Sequence, residues 1–156
     1  MKRLYLTGLA ALIGTASLFS ASTAAQAQLQ NSTELYVVMF RADWCAPCKI
    51  VEPAIAQALY SLSDPSIESL TIDISNPGLS EISAHKAFDR NIVNQYNTWL
   101  GVTGFAAIID ATNKQTLGCV NLKYSPQDMA THIRNLKTYA LVDQVTADFT
   151  CPAPNN

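Results

Sequence analysis

The chain has 156 residues, of which 49% are hydrophobic and 14% are charged, with a formal net charge of −2. This length and composition predict one folded domain and exclude a disordered chain. The net charge implies little by itself, but no basic patch indicates a nucleic-acid partner and no acidic run indicates a solvated tail. The four cysteines are the informative residues, and their meaning depends on the cellular compartment.

Residues 1–27 have the pattern of a secretory signal peptide. Two basic residues follow Met1, an apolar run occupies residues 4–19, and Ala-Gln-Ala ends at Ala27. An uncleaved membrane anchor is the alternative, but the apolar run is short and is diluted by polar residues and glycines. We therefore expect a cleaved leader and a periplasmic or secreted protein.

The remaining residues, 28–156, are predicted to form the folded domain. The mature chain would begin near Gln28, and we expect no membrane span in it. An oxidising compartment allows disulfides to persist, so the cysteines of this domain are candidates for disulfide bonds.

A strand and a helix are predicted on either side of the first two cysteines. Residues 35–40 form a continuous apolar run, which is typical of a central strand buried on both faces. From Pro47 to Leu62, apolar residues recur at helical spacing, and Pro53 is expected to kink this helix. The predicted buried stripe comprises Ile50, Val51, Ala54, Ile55, Ala58, Leu59 and Leu62.

Cys45 and Cys48 thus lie where the predicted helix begins. Unpaired backbone N–H groups and the positive end of the helix dipole favour a thiolate there, which makes Cys45 the predicted nucleophile. Cys48 lies one helical turn inward, close enough to form a disulfide, and is predicted to be the less exposed, resolving thiol.

Further strands and helices are predicted along the rest of the chain. Residues 67–74 and 116–122 read as strands, and Ser125, followed by proline and an acid, reads as a helix start. Between the two predicted strands, apolar residues at spacings of three and four predict one long helix or two short ones. This stripe comprises Ile82, His85, Phe88, Ile92, Tyr96 and Trp99, and we expect His85 to be a core or groove-lining residue.

The segment Trp44-Cys45-Ala46-Pro47-Cys48-Lys49 resembles the active-site motif of the thioredoxin family, and Pro53 matches a proline of that family. The resemblance implies an α/β, thioredoxin-like fold with a central mixed sheet flanked by helices. Compared with the family, the domain is expected to be trimmed at its N-terminus. It is also expected to carry a helical insertion at about 79–100.

The chain departs from the family pattern at three positions. Ala106 stands where thioredoxins have a cis-proline, and we expect a trans bond because a cis bond before a non-proline residue costs about 2.5–4 kcal/mol. Met39 stands where thioredoxins bury an aspartate beneath the resolving cysteine. Ser69 stands where a lysine usually pairs with that aspartate.

The resemblance implies a thiol-disulfide oxidoreductase that acts on protein thiols and disulfides and needs no cofactor, and the predicted signal peptide makes it extracytoplasmic. Substrate contacts are expected from Trp44, Ala46, Pro47, Phe105 and Ala106. A proline between the two cysteines, as at Pro47, is similar to the motif in the reducing branch of the family, and it favours a reductase or isomerase over an oxidase. Such a reductase needs a separate redox partner as electron donor. The alternative is a thioredoxin-fold binding or assembly factor of an envelope or secretion apparatus.

Cys119 and Cys151 remain once the motif pair is assigned, and an oxidising compartment predicts a structural disulfide between them. A four-thiolate metal site is an alternative, but zinc sites usually combine two close cysteine pairs, and these two lie far apart. No metal is therefore expected. Covalent haem attachment is disfavoured because Lys49 stands where a histidine would be required.

Overall fold

The computed structural model describes residues 32–141 and 151–154. The predicted signal peptide and the predicted mature start at Gln28 lie outside these residues. Residues 142–150 and the last two residues also lie outside them.

The described chain folds into a four-stranded mixed sheet with helices on both faces, which confirms the predicted α/β, thioredoxin-like class. The elements are β1 (Leu35–Arg41), α1 (Cys48–Leu62), β2 (Ile67–Asp73), α2 (Pro77–Asp89), α3 (Val93–Thr98), β3 (Phe105–Asp110), β4 (Thr116–Asn121) and α4 (Pro126–Leu141). The strand order is β2-β1-β3-β4. β1 pairs parallel with β2 and antiparallel with β3, so it is a central strand as its apolar run predicted.

Successive residues of β1 point to opposite faces of the sheet and enter two separate cores. Leu35, Val37 and Met39 pack with residues of α1 and α4. Tyr36, Val38 and Phe40 pack with residues of α2 and α3. The continuous apolar run of β1 follows from this burial on both faces.

Two helix starts show why the chain turns where it does. The Asp128 backbone N–H donates to Ser125 Oγ at 3.2 Å, and Ser125 Oγ donates to Asp128 Oδ2 at 2.7 Å, so Ser125 caps α4 as predicted. Asn76 Oδ1 caps α2 by accepting from the Leu79 N–H at 3.0 Å. In α1 the helix continues through Pro53.

The predicted apolar stripe of the middle helices is only half right. Two short helices are present, and Ile92 and Trp99 are buried, but Ile82 is 53% and Phe88 is 73% exposed. His85 is also exposed, so its predicted place in a core or groove is wrong. The buried positions of α2 are small residues, Ser83 and Ala87. Ser83 Oγ hydrogen-bonds the backbone N–H and the carbonyl of Asp73 at 2.8 and 3.0 Å, which holds α2 close to β2.

A charged cluster ties α4 to the opposite end of α1. Lys137 Nζ lies 2.6 Å from Asp64 Oδ2 and 2.8 Å from Glu34 Oε2. The hydrogen bond from Lys137 and those from Ser66 lower the pKa of Asp64 to about 2. Burial opposes the charge of Lys137, but its bonds to the two carboxylates outweigh burial and raise its pKa.

Within residues 32–141 and 151–154, no helix combines the length and apolar character needed to cross a bilayer.

Candidate active site

The two motif cysteines form a disulfide at the start of α1. Their Cα atoms lie 5.4 Å apart, and Cys48 is the first residue of the helix. Cys45 belongs to the preceding turn, in which its backbone N–H donates to the Ala42 carbonyl at 3.1 Å. The Cys48 N–H is directed at Cys45 Sγ, at 3.2 Å. When the disulfide is reduced, this donor and the positive end of the 15-residue helix stabilise a thiolate on Cys45.

Cys48 has a different environment from Cys45. Its side chain is 1% exposed, against 4% for Cys45, so both thiols are shielded in the disulfide form. Cys48 Sγ lies 3.9 Å from the Phe40 carbonyl oxygen, which a reduced Cys48 thiol can use as an acceptor. Cys48 Sγ thus faces a carbonyl oxygen, which favours a thiol, whereas Cys45 Sγ faces an N–H donor, which favours a thiolate.

An exposed apolar rim surrounds the shielded disulfide. Trp44 is 64% exposed, and Ala46 and Pro47 also lie on the surface. Ile50, which the helical pattern predicted to be buried, is 63% exposed on the first turn of α1. These side chains form an apolar surface beside the sulfurs, where an incoming polypeptide could dock.

Phe105 and Ala106 were predicted as substrate contacts, but their side chains are buried, at 1% and 0% exposure. Both belong to β3, where Phe105 pairs with Phe40 and Ala106 pairs with Met39. Because β3 is covered on both faces, neither side chain reaches the surface. No cis peptide bond occurs among the described residues, in agreement with the trans bond expected before Ala106.

Gly104 is the residue of this loop that faces the disulfide. Its φ of +91° is one that L side chains rarely adopt. A Cβ atom at this position would lie 2.9 Å from Pro47 Cβ and 3.5 Å from Cys45 Sγ. The Gly104 N–H donates to the Phe40 carbonyl at 2.9 Å, which ties this loop to the end of β1. Gly104 therefore allows the loop backbone to close over the cysteine pair.

The two departures beneath the site, Met39 and Ser69, line one cavity of about 470 Å³. Met39 is 5% exposed and packs in the same core as Cys48. Glu52 of α1 also lines this cavity. The thioether sulfur of Met39 is only a weak acceptor and has negligible basicity, so it cannot take up a proton as an aspartate would.

Arg41 braces the loop that carries the cysteines, and this role was missed in the sequence. Its guanidinium lies 2.8 Å from Glu52 of α1 and 2.8 Å from Asp43 of the cysteine loop, and it also contacts Asp73 at the end of β2. The hydrogen bonds to Glu52 and Asp43 raise the pKa of Arg41. The Asp43 N–H also donates to Ser75 Oγ at 2.8 Å. The loop is therefore tied to both neighbouring elements.

The structure joins Cys119 to Cys151 in a second disulfide, with Cα atoms 4.8 Å apart. Cys119 is fully buried in β4, and Cys151 is half-buried. The next residue, Pro152, accepts a hydrogen bond from Trp99 Nε1 at 3.1 Å. All four cysteines are thus paired, in two separate disulfides.

Comparison with known proteins shows similarity to one family around the cysteine motif. The thioredoxin family model matches residues 17–88, a range that begins inside the predicted signal peptide. Thioredoxin H2 of Arabidopsis thaliana is 37% identical over 46 residues, which are 30% of this chain and 35% of that protein. A thioredoxin of Neurospora crassa is 45% identical over 40 residues, 26% of this chain and 32% of that protein. The chain thus spans about a third of the length of these relatives.

Among solved structures, a thiol:disulfide interchange protein of Chlorobium tepidum TLS, from the thioredoxin family, is similar with a TM-score of 0.47 and 18% identity. The match covers 69% of this chain and 82% of that chain. The family match spans β1, the cysteine motif, α1, β2 and nearly all of α2. Together with the sheet topology and the Cys45–Cys48 pair at the start of α1, it shows a thioredoxin-like fold that carries the cysteine motif.

Proposed function

We propose that this protein is an extracytoplasmic thiol-disulfide oxidoreductase, in which Cys45 attacks and Cys48 resolves. The observation that carries the proposal is the Cys48 N–H directed at Cys45 Sγ at 3.2 Å, at the start of a long helix. This arrangement stabilises a thiolate on Cys45, and the thiolate is the form that attacks disulfides. The exposed rim of Trp44, Ala46 and Pro47 supports docking of a polypeptide substrate.

The reaction conserves thiols and electrons in two exchange steps. The Cys45 thiolate attacks one sulfur of a substrate disulfide, a mixed disulfide forms, and the other substrate sulfur leaves as a thiolate. Cys48 then gives its proton to the departed substrate thiolate and attacks Cys45 Sγ, which restores the Cys45–Cys48 disulfide. The second substrate sulfur leaves as a thiolate and takes a proton from water, so the substrate is released as a dithiol. Two electrons pass from the protein to the substrate. A separate dithiol partner must reduce the pair again.

Reduction or isomerisation is the proposed direction. The proline between the cysteines resembles the reducing branch of the family, and the signal-peptide pattern of residues 1–27 supports export. N-terminal sequencing of protein recovered from the cell envelope should begin at Gln28. Recovery of a cytoplasmic protein that retains Met1 would contradict export.

Mixed-disulfide trapping tests the assignment of the two thiols. In Cys48→Ser, attack still occurs but release does not, so the variant should accumulate a covalent adduct with a disulfide substrate such as insulin. The matched control is Cys45→Ser, which should form at least about tenfold less adduct because its remaining thiol is buried and protonated. The wild-type chain should also reduce insulin in the presence of a dithiol donor.

Two outcomes would contradict the proposal. Equal trapping by both variants would reject Cys45 as the nucleophile. Absence of trapping and of insulin reduction would favour the second candidate function, a thioredoxin-fold binding or assembly factor. The burial of both sulfurs and the replacement of the family aspartate by Met39 are the observations that keep this second function open.

A further inference from the structure

Three aromatic side chains form a closed cluster next to the cysteine pair. Phe40 and Phe105 are stacked with ring centroids 5.0 Å apart. The Trp99 ring meets both edge-on, at 5.7 Å from Phe40 and 5.5 Å from Phe105. All three are at least nine-tenths buried, so the cluster fixes the relative position of the segments that carry these rings.

Two of these segments build the active site. Phe40 provides the carbonyl oxygen that accepts from the Gly104 N–H and lies beside Cys48 Sγ. Phe105 directly follows Gly104, at which an added Cβ would lie 2.9 Å from Pro47 Cβ and 3.5 Å from Cys45 Sγ, so this backbone lies close to the cysteine pair. A shift of either ring would therefore move the backbone that covers the disulfide.

Trp99 sets the entry of the chain into the Gly104 loop. Its backbone N–H ends α3 by donating to the Gln95 carbonyl at 3.1 Å, and its carbonyl accepts from the Val102 N–H at 2.9 Å. The turn that follows leads directly to Gly104. Both the backbone and the ring of Trp99 thus bear on the position of this loop.

The orientation of the Trp99 ring is in turn fixed from the other end of the chain. We name residues 151–154 the C-terminal strap. Trp99 Nε1 donates to the Pro152 carbonyl of the strap at 3.1 Å, and the adjacent Cys151 is bonded to Cys119 in β4. Cys151 also packs against the core that contains the three rings. The second disulfide therefore holds the acceptor of the Trp99 hydrogen bond in place.

We propose that Trp99 is a positioning residue for the exchange reaction, and that the disulfide-anchored strap acts through it to hold the Gly104 loop closed over Cys45. This inference rests on the proposed function in taking Cys45 as the reacting thiol. The loop limits access to Cys45, which is 4% exposed, and presents a fixed backbone beside it to the docking substrate. Loosening the strap opens this loop.

Alkylation of Cys45 tests the proposal without any protein substrate. The background is Cys48→Ser with the Cys119–Cys151 disulfide intact, so that Cys45 is the single free thiol. Trp99→Phe keeps an aromatic ring but removes the Nε1–H donor. Its rate of reaction with iodoacetamide, measured well below the melting temperature, should rise about threefold to tenfold, the range expected for loss of one hydrogen bond.

A second variant and a matched control complete the experiment. Removing the strap anchor with Cys119→Ala and Cys151→Ala, in the same background, should accelerate alkylation to a similar extent. Adding Trp99→Phe to it should give little further change, because both changes act on one contact. Tyr60→Phe also removes one polar group from an aromatic ring, but at a site 84% exposed on α1, and should leave the rate unchanged.

Two results would overturn the proposal. One is an unchanged alkylation rate in Trp99→Phe, even if its melting temperature falls, because that would make Trp99 a stabilising residue only. The other is full additivity of the Trp99 and strap variants. Neither result depends on whether the wild-type chain reduces insulin, so a failure here is distinct from a failure of the proposed function.

Discussion

The two disulfide bonds of this protein differ in loop length and in their surroundings. Cys45 and Cys48 are separated by 3 positions, at a helix start with an exposed apolar rim. Cys119 and Cys151 are separated by 32 positions, and one of them is fully buried in a strand. Short loops lose little chain entropy on closure and long loops lose more. The first bond is thus placed to be opened and re-formed, and the second to restrain the fold.

The largest expected effect comes from removing the long-range bond. In the chain-entropy model its loop is worth about 3–4 kcal/mol, against about 2 kcal/mol for the short loop of the motif pair. Cys119→Ala with Cys151→Ala should therefore lower the melting temperature by about 10–20 °C. The control is Cys45→Ala with Cys48→Ala, measured by the same thermal unfolding. Equal decreases in melting temperature in the two variants would contradict the prediction, because they would show that both disulfides stabilise the fold equally.

A smaller effect, confined to the first disulfide, is expected from Gly104→Ala. The added Cβ would lie 2.9 Å from Pro47 Cβ, on a residue with φ of +91°. We expect a loss of about 1–3 kcal/mol in the free energy of unfolding, together with a reduced rate of insulin reduction. Gly78→Ala is the matched control, because its Cβ would meet only Asn76 Oδ1 at 3.5 Å. Wild-type activity in Gly104→Ala would show that close packing on Pro47 is not needed.

The smallest effect is expected at the charged cluster of Asp64 and Lys137, which contains neither disulfide. The pKa of folded Asp64 is lowered to about 2, below its unfolded value. Its contribution is therefore present above about pH 4 and is lost as the pH falls toward 2. After allowance for solvent screening we expect about 1 kcal/mol.

Chemical denaturation of wild type and Asp64→Asn between pH 5 and 2 would measure this term. The difference between the two proteins should shrink as the pH falls, and by the same amount with the motif disulfide oxidised or reduced. The pKa of Lys137 is raised, so its contribution is present at neutral pH and is lost only at alkaline pH, above its ordinary value. A pH effect that differs between the redox forms would show that the cluster is coupled to the active site.

The sequence predicted those features that depend on neighbouring residues. The apolar run of β1, the cysteine motif before α1 and the Ser125 cap are local patterns with direct physical causes. The predicted buried face of the middle helices was partly wrong because the prediction followed large apolar residues. In the structure, α2 packs on β2 through the small residues Ser83 and Ala87. Small residues allow close approach of a helix to a sheet but contribute little to an apolar stripe.

Features that depend on distant residues could not be predicted in this way. Alternation along β3 cannot separate an inward from an outward side when both faces are covered, so the sequence did not indicate that the side chains of Phe105 and Ala106 are both buried. The bond from Trp99 to Pro152 joins residues 53 positions apart, and nothing local indicates it. The sequence placed Gly104 in the loop, but it did not indicate that this residue lies close to Pro47.

The central position of β1 has a consequence for the order of folding. Its parallel partner β2 lies just after α1, whereas its antiparallel partner β3 arrives only after two further helices, with Leu35 opposite Asp110. Closing the longer loop costs more chain entropy, so the β1-α1-β2 unit is expected to form before β3 docks. Until then, one edge of β1 remains open to pairing with other chains. We therefore expect newly made protein to be most prone to aggregation after β2 has paired with β1 and before β3 docks. At that stage the cysteine motif is already followed by its helix, but the Gly104 loop does not yet cover it.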